Sequence, residues 1–219
     1  MMKKIALFGG TGGLGSKLSN IPNLTEKYEL VSIGSKDVDI TNFNAVKYFF
    51  DENEIDVVIN LSGVNYDKFI HKITESDLIE IKKSVDVNIL GTINIITCCL
   101  KKMRTKGFGR IILASSVLVA KPVVSTSVYS GCKGFIDSFV KTVALENANK
   151  NITCNSIQMG YFDGGLTYKI DEFLRNTIKN NIPMNRWGTI DELSNLIDLL
   201  ITTPYITGTN IKINGGIDF

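Results

Sequence analysis

Lys3-Lys4-Ile5-Ala6-Leu7-Phe8-Gly9-Gly10-Thr11-Gly12-Gly13-Leu14-Gly15 is the stretch that decides the fold. Four successive apolar residues, Ile5 to Phe8, read as a strand buried on both faces, because a half-exposed strand would alternate. The run breaks at glycines and resumes from Gly13 with helical period. Glycine at 9, 13 and 15 removes Cβ atoms where the chain must turn tightly and a helix must approach the strand. The same absence lets a pyrophosphate reach the helix N-terminus, whose N–H groups meet its charge. A glycine-rich turn that holds no ligand satisfies the same spacing.

Outward from this turn, short apolar runs alternate with longer amphipathic stretches, the pattern of βαβ units on a parallel sheet. The predicted strands are 3–8, 29–33, 56–61, 109–114, 152–157 and 209–213, and the helical stretches are 13–20, 42–52, 75–103, 127–149 and 189–202. Leu78, Ile81, Val85 and Ile89 trace one predicted core-facing stripe; Ile190, Leu193, Ile197 and Leu200 trace another. With no repeat or Pro-rich linker, the expected architecture is a doubly wound parallel sheet in three α/β/α layers, one domain over 1–219.

The composition excludes several classes. At 44% hydrophobic and 21% charged residues the chain is an ordinary globular one, and a net charge of +2 predicts no nucleic-acid or membrane-surface field. The cysteines Cys98, Cys99, Cys132 and Cys154 lack metal or disulfide spacing, and His71 is the sole histidine, so no metal site is expected. The apolar run after Lys4 stops after four residues, too short for a leader or a membrane span, which predicts a cytoplasmic protein.

Three further elements carry chemistry. Asn60-Leu61-Ser62-Gly63 ends a strand in small and polar residues, leaving ligand space at a carboxyl edge. Tyr129 and Lys133, four residues apart on one helix, share a face, and an ammonium there would lower the tyrosine pKa toward that of a general acid or base. Ser116, at the end of the 109–114 strand, would orient a carbonyl. Read singly, these residues also suit strand ends and a solvated helix charge.

Together, in this order, the glycine turn, Asn60-Leu61-Ser62-Gly63, Ser115-Ser116-Val117 and Tyr129-x-x-x-Lys133 resemble the short-chain dehydrogenases/reductases. Ile182-Pro183-Met184-Asn185-Arg186-Trp187-Gly188 and Thr207-Gly208 through Asn214-Gly215-Gly216 are similar to 3-oxoacyl-carrier-protein reductase-like members. The resemblance implies a Rossmann-like fold and a reduced nicotinamide that delivers hydride while Tyr129 donates a proton. It also implies that Ser116, rather than its neighbour Ser115, holds the carbonyl oxygen, that Lys133 binds the nicotinamide ribose, and that Asn88 anchors a water of the proton relay. The implied cofactor contacts are Gly9, Thr11, Gly12, Gly13, Leu14, Gly15, Asn60, Leu61, Ser62, Gly63, Tyr129 and Lys133, with Asp39 and Ile40 beside the adenine and Met159, Gly160 and Phe162 at the nicotinamide.

The chain also departs from the family. Its second strand runs through Gly34-Ser35-Lys36 almost directly into Asp37-Val38-Asp39-Ile40, without the usual helix and third strand. Ser35 and Lys36 offer a hydroxyl and a cation where an acidic residue would select NAD(H), so NADP(H) is expected; Asp37 nearby keeps NAD(H) possible. Met159-Gly160 and Gly164 replace the family's Pro-Gly and Thr. Val119 and Val123 are expected in an apolar substrate wall, Lys121 in solvent, and the segment 162–183, with Tyr168 and Asp171-Glu172, over the substrate. The expected function is interconversion of a ketone and a secondary alcohol, with a 3-oxoacyl thioester as one substrate. A nicotinamide-nucleotide-binding redox sensor or interaction protein without turnover is the alternative. By resemblance, the faces of 75–103 and 127–149 that bear Ile93, Ile96 and Val140 pair subunits into a homodimer or homotetramer.

Overall fold

The structure, a computed structural model, describes residues 2–164, 167 and 171–218. Six strands form one parallel sheet: β1 (Lys3–Phe8), β2 (Tyr28–Ile33), β3 (Val57–Asn60), β4 (Gly109–Ser116), β5 (Ile152–Met159) and β6 (Asn210–Ile213), in the order β2-β1-β3-β4-β5-β6. Ile5 aligns with Leu30 on one side and Val57 on the other, so both neighbours of β1 are in register from the same residue. The helices are α1 (Gly13–Leu18), α2 (Pro22–Thr25), α3 (Phe43–Glu52), α4 (Leu78–Val85), α5 (Gly91–Lys106), α6 (Ser127–Asn147), α7 (Glu172–Asn180) and α8 (Ile190–Thr202). A π-helical turn, Asp86–Leu90, joins α4 to α5.

Alternation along the buried strands divides the core between two faces. Ala6, Phe8, Val58, Ile111 and Leu113 pack with α3, α5 and α6, whereas Ile5, Leu7, Val57, Ile59, Ile112 and Ile157 pack with α1, α2 and α8. The expected three-layer, Rossmann-like architecture is therefore present. All four cysteines are buried and free. The helical run Glu75–Lys106 is long and apolar enough by composition to cross a membrane, but half of its apolar window is buried, and Ile95, Ile96, Cys99 and Met103 lie in the core.

Two expectations about helix faces need correction. Leu193, Ile197 and Leu200 of α8 are fully buried, as their period requires, but Leu78 and Val85 of α4 are exposed and the residues buried there are Ser84 and, in the π turn, Asn88. Ile96 and Val140, expected between subunits, are 2% and 0% exposed within the chain and so cannot meet a partner. Their spacing places them on the same sheet-facing sides as Cys99 and Ile136.

Between β2 and α3 the structure has only turns, which makes β2 the sheet edge and bears out the short second connection. Asn42 starts α3 by accepting from the N–H groups of Asn44 and Ala45, and Thr189 and Glu192 form a reciprocal capping box on α8. Helices α2 and α7 were not separately expected. The former is only four residues long, and the latter is apolar at few positions and has no fully buried residue.

A methyl group on Gly15 would fall inside the Gly9 carbonyl oxygen, whereas one on Gly131, mid-α6, meets nothing within 4 Å. Gly15→Ala is expected to lower stability by about 1–3 kcal/mol. Gly131→Ala should raise it by about 0.5–1 kcal/mol through helix propensity. Urea midpoints of the two variants check the contrast.

Candidate active site

The chain leaves β1 toward β2 on one side and returns as β3 on the other, so the crevice at the carboxyl ends of β1 and β3 is a topological switch point. Gly9 turns there at φ 77°, and a Cβ on it would stand 2.8 Å from the Ser62 nitrogen. The Gly9–Gly15 turn and Asn60–Gly63 are therefore one packed unit. Gly12 N–H donates to Gly9 O at 3.0 Å. Asn60, 4% exposed, accepts from Ser62 N–H through Oδ1 and donates from Nδ2 to Thr92 Oγ1 at 3.1 Å.

Thr11 lies directly against Gly34, which brings the exposed Ser35-Lys36 turn beside the glycine turn. The Asp37 carboxylate bends back to accept Gly34 N–H at 2.8 Å. Asp39 Oδ1 accepts both the N–H and the hydroxyl of Thr41. The Ile40 side chain enters the core in the space that Gly91 leaves, and its carbonyl accepts from Asn94 Nδ2 at 2.9 Å.

The π turn places Asn88 beneath this edge. Its Nδ2 donates to Val64 O at 2.7 Å and Ser84 O at 2.8 Å, while its Oδ1 is buried with no hydrogen-bond donor among the described residues. Lys133, 4% exposed, donates from Nζ to Ala114 O at 2.9 Å, and the ammonium lies 5.5 Å from the Tyr129 ring centroid. A Cβ on Gly63 would be 3.0 Å from Asn88 Oδ1 and 3.5 Å from Lys133 Nζ, so both polar groups converge on a residue that has no side chain. Burial pushes the Lys133 ammonium down to about 8, against the upward pull of Cys132 and Asp137.

Tyr129 opens onto a cavity of 690 Å³ that Ser115, Ser116 and Gly160 also line. Burial, assisted by the Asp67 charge, pushes its phenol up to about 12, reversing in the free chain the lowering expected from Lys133 alone. Ser116 Oγ accepts from Leu118 N–H at 3.2 Å, which leaves its own proton to donate; Ser115 Oγ instead turns back to Lys133 O. Both serines line the cavity, and they differ in where their hydroxyls are engaged.

Val117, Leu118, Val123 and Val124 form apolar wall, but Val119 does not reach the cavity and the exposed Lys121 does not line it. Val119 instead ends the short helical turn Val117–Val119 that follows β4. Met159 and Gly160 remain in register with β6, Gly160 N–H donating to Ile213 O, and Phe162 is buried against Gly188. Thr167, which sequence reasoning passed over, braces this loop: its hydroxyl donates within reach of Phe162 O at 2.6 Å and Gly164 O at 2.7 Å. Leu174 and Ile178 of α7 close part of the cavity, as expected for 162–183, while Tyr168 lies outside the described residues. Ser84 and Thr92 were also missed, although each stands four residues from Asn88 on one helical face.

A glycine turn at the switch point and an unpartnered buried Asn88 Oδ1 beside an ammonium fit a dinucleotide whose reactive end needs polar contacts at that depth. The family model described as Enoyl-(Acyl carrier protein) reductase matches residues 16–218. Nodulation protein G of Azospirillum brasilense is 30% identical over 83% of this chain and 75% of its own length. Acetoacetyl-CoA reductase of Allochromatium vinosum is 32% identical over 74% of this chain and 66% of its own. The 3-oxoacyl-(acyl-carrier-protein) reductase of Mus musculus is 26% identical over 99% and 98%. Since the match runs through nearly every element of the sheet and its helices, the chain belongs to the short-chain dehydrogenase/reductase family, NAD(P)-dependent oxidoreductases acting on C=O and CH–OH groups.

Proposed function

We propose that this chain is a cytoplasmic NADP(H)-dependent reductase that interconverts a ketone and a secondary alcohol, with Tyr129 as the general acid and base. The observation that carries the reading is the convergence of Lys133 Nζ and Asn88 Oδ1 on Gly63, beside Tyr129 at the wall of the cavity. Tyr129, protonated in the free chain, is in the state required of a donor to a carbonyl oxygen. Ser116 donates a second hydrogen bond to that oxygen and fixes its position. Lys133 stabilises the phenolate left behind, and Asn88 Oδ1 accepts from a water that returns the proton. A bound nicotinamide nucleotide supplies the hydride.

The glycine turn and helix α1 would hold its pyrophosphate, and Asn60–Gly63, Met159, Gly160 and Phe162 its nicotinamide half. Lys36 and Ser35 suit a 2′-phosphate, since both are exposed and the Asp37 carboxylate is turned onto Gly34. A 3-oxoacyl thioester is the favoured substrate, supported by the names of the relatives and the apolar wall. The exposed stripe Leu78, Ile79, Val85 and Leu90 supports a homo-oligomer built on α4 and its neighbours. Met159 and Gly164 in place of Pro and Thr favour the sensor reading, but the Thr167 brace on the same loop weakens it.

Titration with NADPH and NADH, followed by nicotinamide fluorescence, should show tighter NADPH binding; equal or reversed affinities would remove the Ser35-Lys36 assignment. Tyr129→Phe should lower kcat by about 10²–10⁴-fold while leaving NADPH binding largely intact, since the ring that borders the cofactor is kept and only its hydroxyl is lost. Cofactor binding without turnover of any ketone by the parent chain would favour the sensor.

Lys133→Met should abolish turnover and yet stabilise the fold. The folded lysine titrates near 8, below its unfolded value, so the unfolded state binds the proton more tightly. The penalty is full below pH 8 and fades as pH rises toward about 10.4. A stability gain of about 1–3 kcal/mol at pH 7, narrowing by pH 10, is expected from urea unfolding of the variant.

A further inference from the structure

Asp67 is the only residue with a formal charge among the described residues that line the cavity. Its placement follows from an alternating segment. Tyr66 and Lys68 are the partly buried pair, the Tyr66 hydroxyl and the Lys68 ammonium both donating to Asp77, while Asn65 and Asp67 are exposed and line the open side of the cavity. Lys68 N–H donates to Ser125 O at 2.8 Å, tying this segment to the rim that carries Val123 and Val124. Asn65 Nδ2 donates to Asp67 Oδ2 at 2.6 Å and holds the carboxylate in place. The charge is felt across the cavity: it pushes up both the Tyr129 and the Tyr161 phenols. No lysine or arginine among the described lining residues offsets it, and Lys121 points away.

A second carboxylate entering this space meets the like charge of Asp67, and the repulsion grows as the substrate displaces water from between that exposed carboxylate and the apolar wall. We propose that Asp67 is a specificity-determining residue that rejects substrates with an anionic group beside the reacting carbonyl, so the chain accepts an oxo ester or thioester and excludes the free oxo acid. This rests on the reductase reading above and narrows its substrate class to neutral acyl derivatives.

The matched pair methyl acetoacetate and acetoacetate tests it at pH 8 with NADPH. The parent chain is expected to prefer the ester in kcat/KM, and Asp67→Asn to shrink that preference by about tenfold or more through a lower KM for the acid. Asp67→Lys, which inverts the charge, should favour the acid. An unchanged ester-to-acid ratio in both variants, or a parent chain that reduces the acid as readily as the ester, overturns the proposal. Calorimetric titration of the same pair into the protein reads the discrimination without turnover. A chain that binds ester over acid in an Asp67-dependent way but reduces neither upholds Asp67 and refutes the reductase reading.

Discussion

The site is organised around an ammonium that has been taken out of water. Lys133 is almost fully buried with Ala114 O as its hydrogen-bond partner among the described residues, and a charge in that position is unfavourable unless dipoles gather around it. Several features gather there. Gly63 lacks the side chain that would keep Asn88 Oδ1 and Lys133 Nζ apart, the π turn carries Asn88 inward, and β4 ends where its carbonyl meets α6. The Asn88 amide is anchored by donating to Val64 and Ser84, so its oxygen is left facing the polar pocket. Burial that lowers the lysine and raises the tyrosine puts two neighbouring titrating groups out of their ordinary ranges, an arrangement costly for folding and useful for proton transfer.

This cluster lies where it does because the sheet is parallel and its order reverses at β1. All six strands point their carboxyl ends to one edge, so Gly9, Asn60, Ser116 and Met159, distant in sequence, become neighbours. Close packing of Gly15 against Gly9 O then fixes how near helix α1 comes to the strand end. Losing the usual helix and third strand shortens the sheet beyond β2 but leaves the switch point untouched. The Asp39 and Asn42 turns restore a path from that edge into α3.

Elements whose burial is strictly apolar were legible in the sequence. Ile5 to Phe8, Val57 to Asn60 and the α8 stripe all lie as their patterns require, because nothing in their surroundings competes with hydrophobic burial. Tyr129 and Lys133 could be named from spacing, Ser116 from its place at a strand end and Asn88 only through the family resemblance, yet the pKa directions of the tyrosine and the lysine could not. The lowered tyrosine was inferred from a pairwise charge, and desolvation at the cavity wall outweighs that pair. Thr167 and Asp67 escaped notice because each acts through backbone geometry: one braces carbonyls and the other is aimed by alternation in a segment without regular structure.

Helix α4 shows why periodicity failed where the chemistry is densest. Its apolar stripe, Leu78 to Val85, is what an isolated amphipathic helix would bury, but Ser84 and Asn88 form the buried side. The helix continues as a π turn into α5, where Ile95, Ile96 and Cys99 face the core, so the buried side shifts from polar to apolar along one continuous run. A π turn inserts an extra residue and rotates the face of α4 relative to that of α5, which reconciles a polar site at one end with an apolar core at the other. The cost is an apolar surface left outward on α4, one that intrachain packing does not cover. A helix that serves the site on one face thus presents hydrophobic surface on the other, and sequence periodicity reads the second because it is the stronger signal.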